Sequence, residues 1–69
     1  MPEHTDWETK AANLLKAELK RKGVTYAQLA DLIGDKPANI GNKLSRGKFT
    51  AAFLLQCLYA VGVRKLELE

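Results

Sequence analysis

The sequence predicts an all-α protein, a compact four-helix domain. Helix starts carry capping signals, glycines stand where those helices should stop, and apolar residues recur at helical spacing in between. The chain has 69 residues, enough for one small domain with a modest core. Cys57 is its only cysteine and His4 its only histidine, so neither a disulfide nor a structural zinc site is expected. Stability should come from well-capped helices, from self-association, or from both.

The first helix is expected to start at Thr5, where Thr5 and Glu8 make a T-x-x-E capping box and Asp6 suits the helix dipole. Trp7, Ala11, Leu15 and Leu19 follow at i, i+4 spacing with Leu14 beside them, giving one apolar face with Trp7 as a lid on the core. Lys20, Arg21 and Lys22 crowd the last turn, where cations complement the dipole, and Gly23 suits a left-handed cap. Thr25 and Gln28 form a second capping box, with Val24 and Leu29 placed as a hydrophobic staple. Leu29, Ala30, Leu32 and Ile33 should supply the buried side of the second helix, which Gly34 ends. Lys36 precedes a proline and is biased out of the helical region, Pro37 fits the first position of a third helix, and Gly47 closes it. Thr50 should cap the fourth helix with Phe49 stapled onto Leu54, and Gly62 with Val63 over Leu58 should finish it as a Schellman turn. The tail "VRKLELE" alternates weakly and predicts a short C-terminal strand.

One domain is expected over residues 1–69, with 1–4 a frayed tail and Leu68 and Glu69 a cloning remnant. The start, "MPEHTDWETK", is polar and acidic, unlike a signal peptide, and no apolar run reaches membrane-spanning length. The expectation is a cytoplasmic protein with a reduced thiol and no membrane partner. Net charge is +3 and unevenly spread. Residues 1–35 hold six acids and five bases, whereas residues 36–66 hold Lys36, Lys43, Arg46, Lys48, Arg64 and Lys65 and no acid. Such a distribution is either a solvated positive face or a footprint for nucleic acid. One His, one Cys and no glycine-rich phosphate loop leave no catalytic residues to name, so no enzyme, cofactor, metal or small-molecule ligand is expected. Cys57, on an apolar helix without a nearby His or acid, reads as a small buried hydrophobe.

The stretch "TYAQLADLIGDKPANIGNKLSRG" carries Thr25, Leu29, Ala30, Gly34 and Ile40 at spacings that resemble the helix-turn-helix of the Xre/Cro, lambda-repressor-like superfamily. A small Ala30 lets the third helix approach the second, Gly34 takes the positive-φ turn, and Ile40 plugs the third helix into the core. Asp35 and Lys43 stand where that superfamily usually has apolar residues, and Leu44 takes over from Lys43. The third helix is therefore expected rotated or lengthened. Residues 42–58, "NKLSRGKFTAAFLLQCL", also resemble a family of short bacterial proteins filed as a domain of unknown function, which implies the fold and no activity.

At about 100° per residue, Ile40, Leu44 and Pro37 share one face and should point to the core, leaving Ala38, Asn39, Asn42, Ser45 and Arg46 outward. Small residues allow close approach, and Asn and Arg can bond adenine and guanine with two hydrogen bonds each. This is the expected reading face for double-stranded DNA, with Asn42 and Arg46 on base edges and Asn39 a third. Gln28, Lys36, Lys43 and Lys48 should meet phosphates. In the fourth helix, "AAFLLQCLYAVG" is apolar almost all round, which predicts an exposed patch covered by a second copy. Phe53, Leu54, Leu58, Val61 and Leu66 are the expected homodimer interface, with the tail strands paired across a two-fold axis. The sequence thus expects a small bacterial or phage-type transcriptional regulator. The alternative is a protein-interaction module, an antitoxin or adaptor, that kept the fold without binding DNA.

Overall fold

Asp6, not Thr5, caps the first helix in the computed structural model, which describes residues 6–67. The Asp6 carboxylate accepts from the Thr9 amide at 3.1 Å and from the Thr9 hydroxyl at 2.7 Å. Thr5 lies outside the described residues, as do His4, the expected frayed tail, and Leu68 and Glu69. The helix it caps, α1, spans Trp7–Lys22, and three more follow: α2 Tyr26–Ile33, α3 Pro37–Arg46 and α4 Ala51–Ala60. The domain is compact and all-helical over this span.

Local sequence chemistry accounts for the punctuation. Thr25 and Gln28 complete their capping box, the Gln28 amide donating to the Thr25 hydroxyl at 3.1 Å while the Gln28 side chain accepts from the Thr25 amide at 2.9 Å. Pro37 opens α3 behind an extended Lys36, and Thr50 caps α4 by accepting from the Phe53 amide at 3.0 Å. After α4 the Val63 amide reaches back to the Leu58 carbonyl at 2.9 Å and the Gly62 amide to Tyr59 at 3.1 Å, the paired bonds of a Schellman turn.

The helices assemble as two crossed pairs. α1 and α2 each pack on both α3 and α4, while α1 makes no close backbone contact with α2, nor α3 with α4. Between them lies a core of Ala12, Leu15, Leu19, Leu29, Ala30, Ile40, Leu44, Phe53, Cys57 and Leu58. Ala30 is buried in this core, and Gly34 turns the chain between α2 and α3 at φ +72°.

Several expectations about burial are corrected here. Trp7 is no lid: it is 70 % exposed, and the buried line of α1 runs through Ala12, Leu15 and Leu19. Leu32 is 58 % exposed, because α2 turns Leu29 and Ala30 inward. Pro37 is exposed although it shares the angular face of Ile40 and Leu44, since the first turn of α3, residues 36–39, stands clear of the core. Phe53 and Leu58, expected at a dimer surface, belong to the core of the single chain. Residues 63–67 form no strand, because an alternating segment needs a second strand to pair with and the described residues contain none. Leu66 packs half-buried against the core instead.

Cys57 is fully buried, and burial pushes its thiol up to about 11 from an ordinary 9.0. Near neutral pH that shift alone cuts the reactive thiolate, so alkylation of the native protein should run about a hundredfold slower than that of the urea-unfolded chain. Equal rates by mass spectrometry would mean that Cys57 is accessible in the native fold.

Candidate nucleic-acid interface

α3 owes its outward face to how little of it is needed for packing. Of its ten residues only Ile40 and Leu44 are buried, one turn apart, and they pin the helix to α1 and α2. Gly41 is half-buried at the flank, where the Tyr26 ring lies 3.8 Å from the position a Cβ would take. Ala38, Asn39, Asn42, Ser45 and Arg46 are all exposed, as the helical wheel requires. Four glycine and asparagine or serine positions make this a poor helix by propensity, and its stability rests on Pro37 at the start, Gly47 at the end and the two buried side chains.

The structure separates the residues expected to act together. Asn42 and Arg46 lie on the open face, and neither side chain makes a hydrogen bond or ion pair with another described residue. Asn39 does not share that freedom: its amide nitrogen donates to Asp35 at 3.0 Å. Asp35 also accepts from the Lys36 amide at 2.7 Å and meets the Lys43 ammonium at 3.6 Å. These hydrogen bonds, led by Asn39, then Lys36, together with the Lys43 charge, hold the Asp35 carboxyl below the usual carboxylate value. Lys43 is thereby turned inward. Its ammonium sits 4.4 Å from the Phe53 ring centre, between a carboxylate and an aromatic face.

Lys48 lies just beyond α3 and bonds Glu8 of α1 at 2.8 Å, which raises the Lys48 pKa. Lys36 is exposed at the helix start. Gln28 spends its carbonyl oxygen on the Thr25 cap and leaves its amide nitrogen as a donor. The open face therefore holds Asn42 and Arg46, edged by Lys36 and Lys48, while Lys43 and Asn39 serve Asp35. The Asp35–Asn39 pair was legible as an i, i+4 spacing across the start of a helix. The Lys43–Phe53 contact was not, because it joins two helices.

No group of three His, Cys, Asp or Glu able to hold a metal ion occurs among the described residues, and none of their helices is long and apolar enough to cross a membrane. No curated protein and no solved structure matches the chain. A family model does match, and it lends no support to the lambda-repressor-like resemblance, whereas the likeness of residues 42–58 to a family without known activity is upheld. The match covers residues 7–66, so the chain belongs to the family described as Domain of unknown function (DUF6471).

Proposed function

We propose that the protein is a sequence-specific DNA-binding module, a small transcriptional regulator in which α2 and α3 act as a helix-turn-helix and α3 enters the major groove. The observation that carries this reading is the outward face of α3, with Asn42 and Arg46 exposed among small residues on a helix without an acid. An amide and a guanidinium on one face suit base edges, and the small neighbours let the backbone come close. Lys36, Lys48 and the Gln28 amide supply phosphate contacts, which give affinity and register but little sequence information. Lys48 would exchange its Glu8 carboxylate for a phosphate.

Two chains are assigned to one imperfect palindrome, their α3 helices about one DNA turn apart, roughly 34 Å. Phe53 and Leu58 are buried in the core of each chain, so an α4 pairing would rest on Leu54, Val61 and Leu66. The reading is of a binding module, not an enzyme.

A selection from random duplexes, followed by titration at several salt concentrations, tests it. Arg46→Ala should cost about 1–3 kcal/mol on the selected site and relax one base position. Lys48→Ala should weaken all sequences alike and flatten the log–log salt slope by about one unit. Loss of affinity without change of preferred sequence in both variants would make α3 a phosphate clamp. No enrichment of any duplex would favour an adaptor or antitoxin role without DNA.

A further inference from the structure

The most exposed large apolar side chains of the described residues are Trp7, Leu32, Leu55 and Tyr59. Three of these border one surface. Trp7 lines a depression against α1, and Leu55 and Tyr59 line a larger one, of about 390 Å³, between α4 and the tail. Leu54 and Leu66 belong to both and form the ridge between them. Tyr59 is 87 % exposed and Trp7 70 %, a high figure for aromatics that would be expected to seek cover within the fold. Trp, Tyr and Arg are also the residues that most often dominate binding energy at protein interfaces.

The charged side chains that line the two depressions have one sign. Arg64 and Lys65 line the larger depression and Lys10 the smaller, and no acid lines either. Arg21, Lys43 and Lys48 each meet a carboxylate elsewhere in the fold, but Lys10, Arg64 and Lys65 meet none among the described residues. The Lys10 ammonium lies 6.0 Å from the Trp7 ring centre. A second copy docking groove to groove would oppose cations to cations, an arrangement that costs affinity. An apolar segment carrying carboxylates would instead fill both depressions and neutralise their rim.

We propose that the surface formed by the start of α1, by α4 and by the tail docks an acidic amphipathic segment of a partner protein. Its apolar side chains sit on either side of the Leu54–Leu66 ridge, and its carboxylates meet Lys10, Arg64 and Lys65. No residue of α3 lines the surface, so the proposal stands apart from the DNA reading and would supply a route for regulation in a domain this small.

The test is a displayed library of short peptides, with apolar residues fixed at helical spacing and the other positions drawn equally from Glu, Lys and Ser, selected on the full chain. Acid-enriched sequences are expected, and the selected peptides should blue-shift the emission of Trp7, the only tryptophan. Joint Arg64→Glu and Lys65→Glu substitution should weaken those peptides about tenfold or more. Leu55→Ser should weaken them as well, with circular dichroism reporting that both variants stay folded. Selection of neutral or basic peptides, or of none, would overturn the proposal. So would a free chain that sediments as a dimer and becomes a monomer on Leu55→Ser, since a second copy would then cover the face. Selection of duplex DNA in the separate experiment above is unaffected by either outcome.

Discussion

Gly47→Ala is expected to destabilise the fold by about 3 kcal/mol, the sum of a left-handed backbone penalty and a steric clash. Gly47 sits at φ +68°, a conformation that an L side chain rarely adopts. A Cβ there would lie 2.7 Å from the Glu8 carbonyl oxygen and 2.8 Å from its carbon. Both are backbone atoms within the first turn of α1, so no rotamer change relieves the overlap. Relief requires the α3–α4 turn to lift off α1, which would also stretch the Lys48–Glu8 bond. Gly23 is the internal comparison: its φ is +69°, and nothing lies within 4 Å of the added Cβ. Gly23→Ala should therefore cost only the backbone penalty, about 1 kcal/mol. Urea unfolding followed by far-UV circular dichroism measures both. Equal losses would show that the close approach of Gly47 to Glu8 is not maintained in solution.

Leu44→Ala should cost about 2–5 kcal/mol, the usual range for emptying a fully buried leucine site. A chain of 69 residues has roughly 3–10 kcal/mol of total stability, so this one change takes much of it. Leu44 is 1 % exposed and is one of only two side chains that anchor α3. Lys43 is its neighbour and control. Lys43→Ala removes an ammonium from the Phe53 ring and from Asp35, both on a partly exposed side chain, and should cost about 1 kcal/mol or less. The ratio of the two losses tells which residue holds α3 to the core. A larger loss at Lys43 would mean that the Asp35 network, not Leu44, is the anchor. Under the DNA reading, Leu44→Ala should also weaken duplex binding more than unfolding alone explains, because the reading face loses its support.

The helices and most of their ends were determined by the sequence alone. A capping box such as Thr25–Gln28 closes within four residues, and a Schellman turn such as Leu58–Val63 within six, so the interactions that make them are written in adjacent positions. The outward set on α3 was legible for the same reason, since the helical repeat assigns each residue a direction. Direction is not depth, however. Pro37 shares the angular face of the buried Ile40 and Leu44 yet stands exposed, because it lies on a first turn that runs past the core. Which side of apolar α4 would be buried was likewise undecided until α1 and α2 took their places. Phe53 and Leu58 went inside, and Leu55 and Tyr59 stayed out. Asp35, Lys43 and Phe53 meet only because the turn after α2, α3 and α4 are brought together, and Gly47 is indispensable only because Glu8 lies against it. Contacts of that kind depend on where one helix stops against another, a quantity set by packing three-dimensional surfaces and by no local run of residues.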